Sequence, residues 1–283
     1  MNGWKRGLLT LPAFALAGLV ISNAPAAPPD IHWSSLGEGF TIAVWEPKEA
    51  CQEAVVPLVL LKMDPVQFRF ATFYFRGEGF SEPPTIMEWQ QRTGATILFN
   101  AGQFLEDYTY LGLLLKDGRS IGGKRHRSWR GLFVAEPLAP GGKLAGILDL
   151  ALDDFSEERP SYREVAQSLM LVDRQGKPRV RRSGRQAQQT VIAELTNGTV
   201  LLIKTVGESS LWDVAACLKA GLPEIHQALA FDGGSSSDVL VAPEVLRSFK
   251  GLLEVTPWAK SVDGSGQRHH PLPSVIAVFP REK

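Results

Sequence analysis

The chain has 283 residues, 44% of them hydrophobic, with 30 Lys and Arg balanced by 30 Asp and Glu. That length is enough for one large domain or two small lobes around a buried core. The lack of a basic excess counts against nucleic acid as a partner, and the five histidines show neither HExxH nor CxxC spacing, so no metal site is predicted.

The first residues read as a leader. Lys5 and Arg6 form a short positive region, an apolar stretch runs from Gly7 to about Ile21, and Ala24-Pro25-Ala26-Ala27 supplies small residues at a cleavage spacing. This is the pattern of a secretory signal peptide over residues 1–27. Pro12 and the short apolar length argue against a stable membrane anchor, which needs about 20 apolar residues. No cysteine lies near the cleavage region to carry a lipid, and no later segment is apolar enough to span a bilayer. The expected product is an exported protein, periplasmic or extracellular, with residues 28–283 as one domain. Its oligomeric state is not legible. Without Lys5 and Arg6 its net charge is about −2. Cys51 and Cys217 have the option of pairing in an oxidising compartment. Cys217 also falls on the apolar side of a predicted helix, where a buried free thiol fits as well.

Strand propensity begins at Phe40–Trp45. Val66 to Phe70 alternates apolar and polar residues, and Phe73-Tyr74-Phe75 extends it. Ser81-Glu82-Pro83-Pro84 opens a helix with Pro84 in its first turn; Ile86 and Trp89 follow at helical spacing and Gly94 stops it. Ala95 to Phe99 is a short apolar strand leading into Asn100. Further strands are predicted at Leu111–Lys116, Trp129–Val134, Ile147–Leu150, Ser168–Val172, Thr190–Leu195 and Thr199–Ile203, with Asn197-Gly198 as a hairpin turn. A helix runs from Ser210 to about Ala220, capped by Ser209 or Ser210, with Leu211, Val214, Ala215 and Leu218 as its apolar stripe. The last apolar run, Ala228 to Phe231, reads as a buried strand. Strands and hairpins with a few packed helices make an α+β chain, with a strand-rich mixed or antiparallel sheet core.

The most informative residues follow that last strand: Asp232-Gly233-Gly234-Ser235-Ser236-Ser237. Glycines allow a sharp turn and a close backbone approach to a ligand, and N–H groups converging in such a turn suit an anion. A plain Gly-Ser surface turn fits the same string. Asn100-Ala101-Gly102-Gln103-Phe104 also follows a strand, and an Asn amide suits sugar hydroxyls or phosphate oxygens; a capped turn with Phe104 in the core is the plainer reading. Gln167 and Ser168 sit at a predicted strand start, where either a ligand contact or a satisfied strand cap is possible. Arg179, Arg181, Arg182 and Arg185 form a local cationic run, which is usually a solvated face. Arginine's planar fork nevertheless matches phosphate, and Arg185 lies just ahead of a strand.

The order of these elements is similar to that of the phosphodiester glycosidase family. It comprises Asn-x-Gly-x-Phe, Leu-Gly-Leu-x-x-x-Asp-Gly, Gln-Ser, an arginine before a strand, a helix and an Asp-Gly-Gly-Ser-Ser turn, and the resemblance spans residues 66–279. Leu111, Met170 and Gln189 depart from it at positions where members often have proline, proline and glycine. The resemblance implies hydrolysis of a sugar-1-phosphodiester at the anomeric carbon, with a carbohydrate or sugar phosphate as partner. No cofactor is expected, beyond a divalent cation that Asp232 and nearby hydroxyls would hold weakly. It implies Asp232, Arg185 and Asn100 as catalytic residues: Arg185 on the phosphate, and Asp232 as general base or as the group facing the oxocarbenium-like centre. Gly102, Gln167, Ser168, Gly233, Gly234, Ser235 and Ser236 would bind substrate. A second carboxylate would come from Glu106, Asp107, Glu208 or Asp213. A phosphate leaving group needs little protonation, so a cation and aimed donors serve it better than paired carboxylates do. A non-catalytic carbohydrate-binding protein on the same fold is the alternative, and an ordinary glycosidase a third reading.

Overall fold

The structure is a computed structural model that describes residues 31–47, 51, 54–247, 259–265 and 268–282. The leader predicted over 1–27 lies outside them. In chain order the elements are β1 Ser34–Gly37, β2 Phe40–Trp45, β3 Leu58–Met63, β4 Phe68–Tyr74, α1 Ile86–Thr93, β5 Ile97–Asn100, β6 Leu114–Lys116, β7 Arg119–Ser120, β8 Gly131–Pro137, β9 Ala145–Asp149, β10 Tyr162–Val172, β11 Thr190–Leu195, β12 Val200–Thr205, α2 Leu211–Gly221, β13 Ile225–Ala230, β14 Val239–Val241, α3 Pro243–Arg247 and β15 Ser274–Pro280.

The strands form two sheets. The larger runs β1-β2-β3-β12-β11-β13-β10-β6-β7, with β8 and β9 added beside β10; the smaller runs β14-β5-β15-β4. Every pairing between these strands is antiparallel. The chain is α+β and strand-rich, as its sequence reads.

Side chains alternate across each strand, and both faces of the large sheet are used. Val191, Ala193, Leu201 and Ile203 pack with Val214, Cys217 and Leu218 of α2. Their neighbours Ile192, Val200 and Leu202 turn the other way and join Phe99, Ile276 and Trp89 in the core between the sheets. A strand covered on both faces reads as a continuous apolar run, which is why β11 and β12 are buried at every position. Continuing the alternation from Val200 and Leu202 puts Lys204 on the inter-sheet face.

Local chemistry sets the helix ends. The cap of α1 is Thr85, not a turn opened at Pro84: its hydroxyl accepts the Glu88 N–H, and the Glu88 side chain accepts the Thr85 N–H. This reciprocal box satisfies two donors the helix leaves orphaned. Ser210 caps α2 by accepting the Asp213 N–H at 3.1 Å. Its hydroxyl donates in turn to Asp213, so that carboxylate belongs to the helix end.

Five strands come from runs in which no element is predicted: β1, β3, β7, β14 and β15. Another is longer than expected. β10 begins at Tyr162, so Gln167 and Ser168 lie inside a strand rather than at its start.

A disulfide joins Cys51 to Cys217 of α2 across a sequence separation of 166. It fastens the segment before β3 to the helix on the outer face of the sheet. Replacing both cysteines by alanine is expected to cost roughly 2–5 kcal/mol of stability, because a long loop is released in the unfolded chain. Urea unfolding of the variant against the oxidised parent measures it.

Candidate functional site

After β13 the chain leaves the large sheet, passes through residues 231–238 and enters β14 of the small one. One buried amide spans that crossing. Asn100, at the end of β5 and 2% exposed, donates through Nδ2 to the Asp232 carbonyl at 2.8 Å and accepts the Asp238 N–H on Oδ1 at 3.1 Å. The backbone adds two more ties: the Asp232 N–H to Ala101 O, and the Asn100 N–H to Asp238 O. Both ends of the turn are thus fixed to Asn100, the last residue of the neighbouring strand, and one also to Ala101 just after it.

Each glycine of the turn has its own reason. Gly234 adopts φ +68°, in the left-handed region. A methyl group on Gly233 would lie 2.9 Å from both Gln188 O and Gln189 Oε1. The Gly234 N–H donates to Gln188 O at 2.8 Å, which presses the turn against the loop before β11.

Beneath the turn sits a buried cation. Lys204 is 1% exposed. Its ammonium donates to the carbonyl of Ser237, to Ser237 Oγ at 2.8 Å and to Gln188 Oε1 at 2.9 Å. Burial lowers its pKa to about 8, against the favourable charge of Asp238. Asp238 in turn accepts from His269 Nδ1 at 2.7 Å, and His269 Nε2 lies 2.9 Å from Gly264 O. A carbonyl can only accept, so Nε2 carries a proton, and the carboxylate takes a second from Nδ1. Both contacts together favour the imidazolium form of His269. Burial opposes that charge, but the Gly264 carbonyl and Asp238 outweigh it, and the His269 pKa is raised.

Two concavities flank the turn. One, of about 120 Å³, is lined by Asp232, Gly233, Phe231, Arg185, Ser183, Gln103 and Gln189. The Asp232 carboxyl is half-buried there, and burial raises its pKa above the ordinary carboxylate range; bonds from Ser236 and the Gly233 N–H, and the Arg185 charge, offset part of the shift. The other, of about 270 Å³, holds Ser235, Ser237, Gln188, Glu208, Asp238, Arg268 and His270.

The structure brings Asp232, Arg185, Gly233, Gly234 and Ser235 to these two cavities, and Ser236 onto Asp232. The other expected residues have their polar groups bonded within the protein. The Asn100 amide is spent on backbone groups, so it positions the turn and has no donor left for a sugar. Gly102 leaves room for Tyr110: a methyl there would sit 2.4 Å from the Tyr110 hydroxyl. Gln167, fully buried, donates to His126 O and Trp129 O and accepts from the N–H groups of Leu113 and His126. Ser168 donates to Ala230 O. Neither lines either of the two cavities at the turn. The Gly233 and Gly234 N–H groups are also taken, by Asp232 Oδ1 and Gln188 O, so the turn is not an open nest for an anion. Of the four possible second carboxylates, Glu208 lines the larger cavity. Asp107 is held by Thr109 on an exposed loop and Asp213 by Ser210, while Glu106 is exposed.

Sequence reasoning missed Gln103, Gln188, Lys204, Asp238, Arg268, His269 and His270. For Lys204 there was a signal, a lysine at a core-facing position of an otherwise apolar strand, where a charge needs buried partners. For the His269 segment there was none, because its partner is Asp238, far away in the chain. Among the described residues no group of three or more His, Cys, Asp and Glu side chains converges as a metal site would require.

A sequence model described as phosphodiester glycosidase matches residues 93–279, starting later than the resemblance at residue 66. Among solved structures, a hypothetical protein from Synechocystis superimposes with a TM-score of 0.54 at 13% identity, over 90% of this chain and 64% of that one. This chain thus spans only 64% of that protein's length. The catalytic domain of zebrafish N-acetylglucosamine-1-phosphodiester alpha-N-acetylglucosaminidase, auto-inhibited by its pro-peptide, superimposes with a TM-score of 0.53 at 14% identity, over 92% and 85%. At such identities the likeness establishes the fold. No curated protein sequence matches the chain.

Two outcomes follow from the joint. Asn100→Ala strands the Asp238 N–H and the Asp232 carbonyl, and is expected to lower stability in urea by about 1–3 kcal/mol per unsatisfied group. The His269–Asp238 pair has a raised histidine pKa, so its stabilisation is complete below the unfolded value of about 6.5 and is lost as pH rises through the folded value. Unfolding midpoints of the parent should fall across that window, and those of His269→Gln should not.

Proposed function

Because this chain belongs to the phosphodiester glycosidase family, we propose that it hydrolyses a sugar-1-phosphodiester at the anomeric carbon, on a phosphoglycan or an envelope or exopolysaccharide. The observation that carries this reading is the placement of a half-buried Asp232 and Arg185 on one small cavity. In the reaction the bond from C1 to the phosphate oxygen breaks, water adds to C1, and the water proton passes to the Asp232 carboxylate. A base with a raised pKa takes that proton more readily at working pH. Arg185 binds the departing phosphate, whose charge grows as the bond opens.

Hydrolysis of an ordinary glycoside needs a neutral acid opposite a carboxylate, the two flanking one bond. Here Glu208 lies in the other cavity, which Gly234 lines while Gly233 lines that of Asp232. A single carboxylate with a cation suits a leaving group that needs no strong acid. Ser235, Arg268, His270 and Glu208 are the groups available to sugar hydroxyls in the larger cavity.

The proposal includes export to the periplasm or the outside of the cell. The leader pattern over residues 1–27 and the Cys51–Cys217 disulfide, a bond favoured in oxidising compartments, support it. No helix among the described residues is long and apolar enough to cross a membrane.

Purified protein is expected to release free reducing sugar from a sugar-1-phosphodiester. Asp232→Asn should lower kcat/KM by about 10²–10⁴-fold, and Arg185→Ala by about 10²-fold, with unfolding midpoints close to the parent. The acid limb of the pH profile should lie above the ordinary Asp value of about 3.9. Full activity in both folded variants would refute the assignment of the site, and binding without turnover would make the protein a carbohydrate-binding one.

A further inference from the structure

Residues 123–130 read Gly-Lys-Arg-His-Arg-Ser-Trp-Arg. Lys124, Arg127 and Arg130 are exposed and Arg125 is half-exposed. Several cations elsewhere have an acidic partner, as Lys116 has Glu78, Lys143 Glu194, Arg174 Asp153 and Arg281 Glu136. Among the described residues, none of the four cations in this loop forms an ion pair. In a chain with no net charge overall, four unpaired cations are gathered within seven residues here.

The loop is also held rigidly. The Gln167 side chain grips it through three of its four bonds: His126 N–H at 2.7 Å, His126 O at 2.8 Å and Trp129 O at 2.8 Å. The His126 ring lies over Trp129, with centroids 4.5 Å apart. A platform already ordered loses little entropy on binding.

Its position ties it to the candidate site. The Gln167 carbonyl accepts from the Tyr110 hydroxyl at 2.8 Å, and that hydroxyl accepts the Gly102 N–H at 3.1 Å. The next residue, Gln103, lines the Asp232 cavity, and Tyr110 is within electrostatic reach of Asp232. A path through Gln167, the Tyr110 side chain and the Gly102–Gln103 backbone thus connects the basic loop to that cavity. Arg181 and Arg182, exposed, immediately precede Ser183 and Arg185 of the cavity lining in the chain.

We propose that the loop Lys124–Arg130 is a docking surface for a polyanionic, phosphate-bearing polysaccharide, which it holds while one linkage enters the Asp232 cavity. The choice of polymer rests on the sugar-phosphodiester reading of that cavity. The loop itself argues against two other polyanionic partners. Single-stranded nucleic acid binds by stacking bases on open aromatic faces, and a membrane surface takes up exposed apolar side chains. The loop's single large aromatic, Trp129, is 7% exposed and lies under His126. What remains outward is cationic apart from Ser128, which suits phosphates repeated along a flexible hydrophilic chain and steers them by long-range attraction.

The test uses the whole folded chain and poly(glycerol phosphate) as probe, with affinity read by calorimetry at low and at physiological salt. Arg125→Gln/Arg127→Gln/Arg130→Gln is expected to weaken binding about tenfold or more at low salt and to flatten the salt dependence, since fewer counterions are released. A control with equal charge loss, Lys177→Gln/Lys219→Gln/Lys260→Gln, should bind like the parent, and both should cleave a methyl sugar-1-phosphate at the parental rate. Unchanged affinity in the loop variant, equal weakening in the control, or tighter loop-dependent binding of anionic vesicles or single-stranded RNA than of the polymer would each overturn the proposal. The same titration on Asp232→Asn keeps the two readings apart. Loop-dependent binding in a protein that cleaves no diester removes the activity and leaves the docking surface, whereas cleavage with loop-independent binding does the reverse.

Discussion

The Asn100 amide is the joint on which the candidate site depends. It closes the small sheet's β5 against both ends of a turn that carries the chain from one sheet to the other. A buried amide has few donors and acceptors, and here they meet backbone groups that would otherwise be stranded in the core. Removing the joint would free the turn that aims Asp232. The carboxylate is thus placed by the packing of two sheets, a more rigid support than a loop alone provides.

The charges beneath the turn extend that constraint. Lys204 and the Asp238–His269 pair lie within or beside the core, where an uncompensated ion is costly. Each charge has its partners: Lys204 binds Ser237 and Gln188, and Asp238 binds His269. Gln188 shares the wall of the larger cavity with Arg268 and His270. Those two residues flank His269, the one that anchors their segment to Asp238. The same buried network therefore orders the turn and the opposite wall of the cavity. It also explains a lysine in β12, which no rule of strand propensity would favour.

Much of this was legible from the chain and some was not, for identifiable reasons. Strands with a clear apolar signal, such as Phe40–Trp45 and Thr190–Leu195, read directly, and so did α2 with its Ser210 cap. Leu58–Met63 and Ser274–Pro280 carry the same residue types. A short buried run without alternation has no period of its own, so it reads as a strand chiefly where turn residues such as Asn197-Gly198 bound it. At the site, the Asp-Gly-Gly-Ser-Ser turn and Arg185 were visible as local chemistry. The actual employment of Asn100, Gly102 and Gln167 was not, because each is decided by a partner distant in sequence: Asp238, Tyr110 and the loop of His126. A polar residue after a strand looks the same whether it faces a ligand or fastens two backbones. Only the long-range pairing of strands distinguishes them, and that pairing also decides whether Cys51 meets Cys217.

The most direct measurement is a crystal structure of the protein soaked with a sugar-1-phosphate. The phosphate is predicted to lie against Arg185 with the anomeric carbon facing Asp232, and the sugar hydroxyls to reach across the Gly233–Gly234 ridge toward Glu208 and Arg268. A ligand bound away from the Asp232 turn, with both cavities left to water, would contradict it.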